Sequence, residues 1–394
     1  MKLGILTSHP IQYQAPLFRA LAKEMEIIVY FAHRATPSDQ AKAGFGVQFE
    51  WDTDLTSGYQ SVFLKNESRR PGIDNFFGCN TPSMADHIRK EAFDAFVVMG
   101  WNFKSYWQAI RACRRLGIPI FARGDSNLST PRAWGLQQIK RIIYPVLFSQ
   151  LNGFLSVGSR SKEYLKYYGV PDSHIFHVPH FVENEWFEEK SLIGLLERTK
   201  FRNSIGVGSE TYLALFVGKL IPEKRPSDLL EAVFVLVRQG VDIAALFVGA
   251  GHLEPSIRRQ AEFLKIRAHM VGFKNQTELP YYYGVSDCLV LPSASETWGL
   301  VVNEAMACGL PAVVSTAVGC CDDLIESGRT GSVYEVGKVE QLARSIQSLR
   351  HLLGKADLKQ AIRNTISRYS AEEAVKGIRQ ALTQISLILQ DKTR

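Results

Sequence analysis

The feature that most constrains the fold is an alternation of short, continuously apolar segments with helical ones. In the first half of the chain the apolar segments are Leu3–Thr7, Ile27–Phe31, Ala95–Gly100, Ile118–Ala122 and Gly153–Val157. Helical segments separate them at Pro16–Lys23, Ser83–Ala92, Lys104–Leu116 and Pro131–Ser149. Continuous apolar strands that alternate with helices predict a parallel sheet covered by helices on both faces.

After a charged stretch near Glu183–Arg202 the same alternation starts again. Its strands are predicted at Tyr212–Val217, Ile243–Val248, Cys288–Leu291 and Pro311–Ser315, and its helices at Ser227–Arg238, Leu253–Phe263, Leu300–Cys308 and Val339–Leu353. A chain of 394 residues is too long for one ordinary core. We therefore predict an α/β protein of two Rossmann-like domains facing a cleft, with a ligand at the carboxyl ends of the strands.

The pattern divides the chain into four parts. Residues 1–182 are predicted to form the first domain and residues 210–370 the second, with a linker and helix over 183–209 between them. Residues 371–394 are predicted to form a C-terminal helix that packs back toward the first domain.

The charge is concentrated in the first domain. The chain has a net charge of +7, and residues 1–180 hold 21 Lys and Arg against 14 Asp and Glu. This excess favours an anionic partner, such as lipid headgroups, a phosphorylated carrier, an acidic polymer or nucleic acid. A basic surface that only keeps the protein in solution is an equally open interpretation.

Composition narrows the class and the compartment. Apolar residues make up 46% and charged residues 22%, which is typical of a globular protein. No apolar run approaches the roughly 18 residues of a membrane-spanning helix, and Met1–Pro10 is interpreted as a first strand rather than a signal peptide. The six cysteines form no C-x-x-C pair. We therefore expect a cytoplasmic protein.

The segment most informative about function runs from a buried strand into a helix, over Leu291–Pro311. A short loop carries Glu296, and the helix opens near Trp298–Leu300 with Glu304 inside it. The N–H groups at a helix start bind anions, which suits a diphosphate, and Gly299 lets the backbone approach it closely. Two carboxylates eight residues apart would bind hydroxyl groups on either side of that diphosphate.

A second segment, Phe216–Pro226, carries basic side chains. The strand ends in Gly218, and Lys219 and Lys224 follow it. Two ammonium groups in one site neutralise a departing diphosphate. A lysine after a strand is by itself usually solvated, but the presence of both segments in one domain favours a functional interpretation.

Together these motifs resemble the donor-binding domain of retaining glycosyltransferases of glycosyltransferase family 4, which have the two-domain GT-B fold. The resemblance covers most of residues 150–345 and implies a donor-binding second domain and an acceptor-binding first domain. The family's E-x7-E pair implies that Glu296 bonds hydroxyls of the donor sugar and that Glu304 bonds the ribose. Lys219 and Lys224 match the basic pair on the diphosphate, although the family usually has Arg at the first position.

The resemblance also implies further donor contacts. In similar enzymes the backbone near Phe273 contacts the base, and Thr297 stands where the family often has Gly, which narrows the sugar pocket. The full set of implied donor contacts beyond the Glu and Lys pairs is Gly218, Phe273, Thr297, Trp298, Gly299 and Leu300.

The first domain departs from the family pattern at its first loop. The first strand leads into Thr7–Gln14 instead of a Gly-Gly loop, and a proline there removes a free N–H group. We expect His9, Gln12 or Tyr13 to supply side-chain contacts instead. For His9, a loop role with bonds to the backbone is equally open.

The first domain departs again where many relatives carry a histidine that faces the donor sugar. The comparable stretch here is Ile120–Ser126, which has no histidine. Arg123 and Asp125 are therefore the candidates for acceptor or donor contacts. The residue that replaces the usual histidine is not identified by the sequence.

The sequence favours no metal and no cofactor beyond the nucleotide-sugar substrate. Asp52-Thr53-Asp54 has the D-x-D pattern of metal-binding glycosyltransferases of another fold, but it lies in a turn-rich segment of the first domain. We interpret these residues as loop residues. The nine histidines show no H-E-x-x-H pattern.

The helix predicted at Pro131–Ser149 has two interpretations. It combines apolar side chains with Arg132, Lys140 and Arg141, and amphipathic basic helices bind anionic bilayers. Similar enzymes often dock on membranes through this domain. Pro145 would kink the helix, which favours an ordinary helix packed into the core.

The resemblance and the motifs together predict a metal-independent retaining glycosyltransferase. It would move a hexose-type sugar from a UDP- or GDP-type donor to a hydroxyl acceptor, namely a lipid-linked or cell-envelope saccharide. The expected partners are the nucleotide sugar, that acceptor and an anionic inner membrane surface, but no nucleic acid. The alternatives are a nucleotide-sugar epimerase of the same fold and a catalytically silent subunit that binds a sugar nucleotide.

Overall fold

The structure is a computed structural model. It describes residues 1–37, 46–130, 134–354 and 356–391, without the side chains of Trp134, Ala356 and residues 386–391. The chain divides into two compact units. The first comprises Met1–Thr36, Asp54–His180 and Ala371–Arg394, and the second comprises Pro37–Thr53 and Phe181–Ser370.

The first unit is built on a seven-stranded sheet. Its strands are β1 (Lys2–Thr7), β2 (Glu26–Phe31), β3 (Gln60–Phe63), β4 (Ala95–Val98), β5 (Ile120–Gly124), β6 (Gly153–Ser156) and β7 (Ile175–His177). Its helices are α1 (Ala15–Glu24), α2 (Met84–Glu91), α3 (Lys104–Leu116), α4 (Trp134–Phe148), α5 (Ser159–Tyr167) and, at the end of the chain, α15 (Ala371–Asp391). The strands run parallel in the order β3-β2-β1-β4-β5-β6-β7.

The second unit is built on a six-stranded sheet. Its strands are β8 (Tyr212–Val217), β9 (Ile243–Val248), β10 (Ala268–Met270), β11 (Cys288–Leu291), β12 (Ala312–Ser315) and β13 (Gly331–Tyr334). Its helices are α6 (Asn184–Ser191), α7 (Leu195–Ser204), α8 (Pro226–Arg238), α9 (Glu254–Leu264), α10 (Leu279–Val285), α11 (Leu300–Ala307), α12 (Cys321–Leu324), α13 (Val339–Arg350) and α14 (Ala356–Ile366). The strands run parallel in the order β10-β9-β8-β11-β12-β13.

The prediction of two Rossmann-like parallel-sheet units is confirmed. The segments Tyr212–Val217 and Ile243–Val248 are strands with the predicted bounds, and every residue of both is buried. The four strands that the apolar pattern missed are β3, β7, β10 and β13, and they are the two edges of each sheet. An edge strand is covered on fewer sides, so its sequence needs no continuous apolar run.

The C-terminal helix α15 belongs to the first unit, where it packs against α1, β6 and β7. Ala374, Ile378 and Leu382 are buried on its inner face. Gly377 lies on the same face, and a Cβ atom at this position would overlap with the backbone carbonyl oxygen of His177. The close approach of this helix to the end of β7 therefore depends on glycine.

Helix α4 does not pack wholly into the core, so that expectation is wrong for one of its faces. Tyr144, Leu147 and Phe148 pack inward, but five apolar side chains on the outer side are 45–76% exposed: Leu136, Ile139, Ile142, Ile143 and Val146. Pro145 lies inside the helix. The predicted start at residues 131–133 lies outside the described residues.

In the described part of the chain, no helix is both long enough and apolar enough to cross a bilayer.

Replacing Gly377 with Ala is expected to destabilise the protein by about 1–3 kcal/mol, because backbone atoms must move to admit the methyl group. The matched control is Gly135→Ala in α4, where a Cβ atom would meet nothing within 4 Å. This control is expected to raise the free energy of unfolding by about 0.5–1 kcal/mol, because Ala has a higher helix propensity than Gly. Equal effects of the two substitutions on the thermal unfolding midpoint would contradict the close packing of α15.

Candidate functional site

The conspicuous polar cluster of the second unit lies where its central strands end. After β8 the chain passes through Gly218 and Lys219, and after β11 it enters the loop that carries Glu296. The two loops are joined by a backbone hydrogen bond of 2.8 Å from Ala294 N–H to Glu223 C=O. Parallel strands bring their carboxyl ends to one edge of a sheet, which is where open α/β sheets bind ligands.

An ion pair connects the two motifs that the sequence analysis identified. Lys224 Nζ, at the end of a 3₁₀ turn after β8, donates to Glu296 Oε2. The two side chains keep 20% and 17% of their surface exposed, so the pair is desolvated but reachable by a ligand. Burial and the charge of Lys224 lower the pKa of Lys219, and Glu296 partly opposes that effect. The site is therefore a partly desolvated cluster of two cations and one carboxylate.

The start of α11 lies next to this cluster. Gly299 precedes it with φ = 103°, and the first turn has neither a side-chain cap nor an acidic residue. A side chain at Gly299 would be strained in this conformation, and its Cβ would lie 3.0 Å from Val318 Cγ1. No side chain therefore caps the helix start, and N–H groups at such a helix start can bind an anion.

The neighbouring residues Thr297 and Trp298 are placed differently from one another. Thr297 is exposed, whereas Trp298 is buried and donates its indole N–H to Asn303 Oδ1 at 2.8 Å. The Trp298 backbone carbonyl accepts from Cys320 N–H at 2.9 Å. Trp298 therefore fixes the loop from inside.

Glu304 lies one turn into α11 and accepts a hydrogen bond of 2.6 Å from the hydroxyl of Tyr283 on α10. Burial raises the pKa of the Glu304 carboxyl to about 7, and the bond from Tyr283 partly opposes this rise. The sequence analysis did not assign Tyr283. Its position in a run of three tyrosines, Tyr281–Tyr283, gave no sign of which one faces the carboxylate, because that depends on how α10 packs.

The segment before Asp54 packs on Phe273, the residue predicted to lie near a nucleotide base. The rings of Phe49 and Phe273 are 4.4 Å apart at 37°, and Trp51 meets Phe49 edge-on. Asp52 Oδ2 accepts from Thr277 N–H at 3.1 Å. The Asp52 carboxylate is thus a loop anchor, in agreement with its interpretation as a loop residue.

In the first unit, Arg123 lies at the end of β5 and is buried. Its Nη2 donates to the carbonyl oxygens of Val178 and Pro179 at 3.3 and 3.1 Å and lies 3.4 Å from His180 Nδ1. The ring of Tyr13 meets that of His180 edge-on at 5.4 Å. Burial lowers the pKa of Arg123 to about 10 and that of His180 well below its usual value.

His180 is the residue that the sequence analysis missed in this unit. It lies in the segment after β7, far in sequence from the stretch where a histidine was sought, and its place beside Arg123 depends on the pairing of β5, β6 and β7. The other predicted residues of the first unit lie near its first loop. His9 Nδ1 is 2.9 Å from Ser8 Oγ, and Gln12 is half-buried. Burial raises the pKa of Tyr13, and the nearby Asp125 carboxylate adds to that rise.

The sequence has recognisable relatives over part of its length. Residues 197–368 match a family model described as "Glycosyl transferases group 1". D-inositol 3-phosphate glycosyltransferase 2 of Catenulispora acidiphila is 29% identical over 252 residues, which are 60% of this chain and 56% of that protein. N-acetyl-alpha-D-glucosaminyl L-malate synthase of Bacillus anthracis is 28% identical over 46% of this chain and 45% of that protein. The chain spans about half the length of these relatives.

Solved structures resemble the whole chain. Anabaena Alr3699/HepE in complex with UDP has a TM-score of 0.74 at 18% identity, over 97% of this chain and 100% of that one. The apo form of the lipopolysaccharide outer core galactosyltransferase WaaB has a TM-score of 0.70 at 15% identity, over 97% and 99%. At these identities the likeness establishes the fold alone, which is the predicted GT-B fold.

The raised pKa of Glu304 predicts how stability depends on pH. The folded protein holds the Glu304 proton up to about pH 7, whereas the unfolded chain releases it near its ordinary value. The protein therefore loses stability as pH rises through that window. Glu304→Gln has no charge to bury and is expected to melt roughly 2–4 °C higher than the wild type at pH 8.5, with a smaller gap at pH 5.5.

Tyr283→Phe is the companion variant, because it removes the hydrogen bond that holds the pKa of Glu304 down. In this variant the loss of stability should move to higher pH. A difference between wild type and Glu304→Gln that does not change with pH would contradict the buried-carboxyl argument.

Proposed function

We propose that this chain, whose residues 197–368 match the model of the group 1 glycosyl transferases, is a metal-independent retaining glycosyltransferase. It moves a hexose from a UDP- or GDP-type nucleotide sugar to a hydroxyl acceptor. The observation that carries the proposal is the Lys224–Glu296 ion pair at the carboxyl edge of the second sheet, beside the uncapped start of α11.

Each charged group of the site has a task in this reaction. The diphosphate lies against the start of α11, where Lys219 and Lys224 neutralise the charge that grows as the sugar departs. The diphosphate oxygens replace the Glu296 carboxylate as the partner of Lys224, which leaves Glu296 to accept hydrogen bonds from sugar hydroxyls. Glu304 accepts from the ribose hydroxyls, with Tyr283 holding the carboxylate in place.

The proposed transfer needs no protein base. The bond between the sugar's anomeric carbon and the phosphate oxygen breaks, and the acceptor oxygen bonds to that carbon on the same face. The acceptor's proton passes to the departing phosphate oxygen, so the products are the retained glycoside and the nucleoside diphosphate. This fits a first unit in which the histidine beside Arg123, His180, has its pKa lowered by burial and by the charge of Arg123.

Similar proteins support the donor and acceptor classes. Alr3699/HepE was crystallised with UDP and with UDP-glucose, which makes a UDP-hexose the first donor to test. The relatives' names specify acceptors that carry a phosphate or a carboxylate, and the name of WaaB specifies a lipopolysaccharide. An acceptor from the cell envelope, presented at the inner face of the membrane, fits these names and the basic first domain.

We propose the anionic bilayer as a further partner, in contact with α4. Its outer face exposes Ile139, Ile142 and Val146 beside Lys140 and Arg141. The cation of Lys140 lies over the ring of Tyr144, and that of Arg141 lies over Tyr167. Exposed aliphatic side chains flanked by cations are the composition that inserts into the headgroup region of a bilayer.

The first experiment is calorimetric titration of the protein with UDP, GDP, ADP and CMP in EDTA. We expect one nucleoside diphosphate to bind more tightly than the others, with no gain on adding Mg²⁺. Lys219→Ala and Lys224→Ala should each weaken the diphosphate about tenfold, as expected for loss of a charge-assisted contact, and should leave the parent nucleoside nearly unchanged. Lys359→Ala, an exposed lysine of the same unit, is the matched control.

Three results would count against the proposal. Absence of binding by all four nucleotides would overturn the donor site. Conversion of the donor sugar without acceptor would favour the epimerase of the same fold. A Glu296→Ala variant that leaves the product of the pathway intact would favour a silent binding subunit.

Membrane contact predicts that the protein co-sediments with vesicles of phosphatidylglycerol and that added salt releases it. Ile142→Ser with Val146→Ser should reduce the bound fraction several-fold, because two inserted side chains are lost. Leu195→Ser with Leu196→Ser, exposed apolar residues of the second unit, is the control. Equal binding of both double variants would exclude α4 as the contact.

A further inference from the structure

We propose that the first unit holds a second, separate anion site that binds the phosphate of a phosphorylated saccharide acceptor. The site is a cavity of about 640 Å³ at the carboxyl end of β3, lined in part by Arg69, Arg70, Phe77 and Lys104. The inference rests on the proposed glycosyl transfer and names the class of its acceptor. The volume is in the range of pockets that hold small ligands.

The cavity is formed by a long loop that is braced at both ends. The loop leaves β3 at Phe63 and returns at Thr81, before α2. Asn66 holds its two branches together, since Nδ2 donates to Gly78 C=O at 2.8 Å and Oδ1 accepts from Asn80 N–H at 3.0 Å. Because side-chain hydrogen bonds already fix the conformation of this loop, a ligand does not have to order the loop when it binds.

The same loop is tied to helix α3, which supplies the far wall. Gln108 Nε2 donates to Asn80 Oδ1, and Gln108 Oε1 accepts from Thr81 N–H, both at 2.9 Å. Ser105 N–H donates to Cys79 C=O at 3.1 Å. These bonds hold the start of α3, where Lys104 lines the cavity, against the loop.

The charges of the cavity are unbalanced. Three cations line it, Arg69, Arg70 and Lys104, against the single carboxylate of Glu67. Within the described ranges no carboxylate pairs with any of the three cations, and Glu67 instead faces Lys65 at 3.8 Å. Arginine presents a planar set of donors that matches phosphate oxygens, and lysine adds a point charge. The cavity is thus suited to a dianion.

An exposed aromatic side chain completes the site. Phe77 keeps 66% of its surface exposed at the rim, and Phe76 meets it edge-on at 5.0 Å. The 3₁₀ turn Phe76–Gly78 presents both rings, with Asn75 Oδ1 accepting from Phe77 N–H at 3.0 Å. A sugar ring packs its C–H face on such an aromatic side chain. A ligand that places a phosphate group on the three cations and a sugar ring on Phe77 is a sugar phosphate.

The test uses the full-length protein and three probes: D-glucose 6-phosphate, inorganic phosphate and glucose, titrated by calorimetry at low salt. We expect the sugar phosphate to bind most tightly and glucose most weakly. Arg69→Gln with Arg70→Gln should weaken both phosphate probes about tenfold. Phe77→Ala should weaken the sugar phosphate alone. Lys65→Ala, an exposed cation of the same loop outside the cavity lining, is the control and should change little.

Vesicles of neutral phospholipid, with or without a polyprenyl-phosphate-linked sugar, distinguish the source of the phosphate. Binding of the free sugar phosphate alone supports a soluble acceptor, and stronger binding to the vesicles that carry the glycolipid supports a lipid-linked one. The proposed site is overturned if the double arginine variant, like the Lys65→Ala control, binds every probe with the affinity of the wild type. The same variants should bind UDP with the affinity of the wild type. A wild-type protein that does not bind UDP would count against the donor site and not against the second anion site.

Discussion

Parallel strand pairing is the constraint on which the rest of this structure depends. It brings the carboxyl ends of all strands in a sheet to one edge, so residues far apart in sequence meet in the loops that follow. In the second unit this places the loops after β8 and β11 side by side and joins Lys224 to Glu296, 72 residues away. In the first unit it places Arg123, at the end of β5, beside His180, after β7.

Electrostatics then determine what these edges can bind. Burial lowers the pKa of Lys219 and raises that of Glu304, so burying these charges costs free energy of desolvation at the proposed donor site. A diphosphate at the start of α11 and hydroxyls at Glu304 would compensate that cost. The cavity of the first unit differs, since its arginines are exposed and attract an anion without such a cost.

The sequence was most informative where burial is complete on both faces. Fully apolar segments such as β8 and β9 were predicted with their bounds, whereas β3 and β10, at the sheet edges, are only partly covered and were missed. For helix α4 the expected burial is wrong for one of its faces. Pro145 favoured an ordinary helix packed into the core, but one face packs and the other stays exposed. Which face is covered depends on the neighbours of the helix and not on its composition.

The sequence by itself determined the two-unit α/β fold and the motif residues Lys219, Lys224, Glu296 and Glu304, because buried parallel strands and phosphate-binding loops require particular residue types at close spacing. Only the tertiary structure decided the partners of those residues. Tyr283 against Glu304 and His180 against Arg123 are contacts between distant segments. Lys104 and Arg69 likewise come from separate segments to line one cavity. They are set by the order of the strands and the packing of the helices, and no local spacing records them.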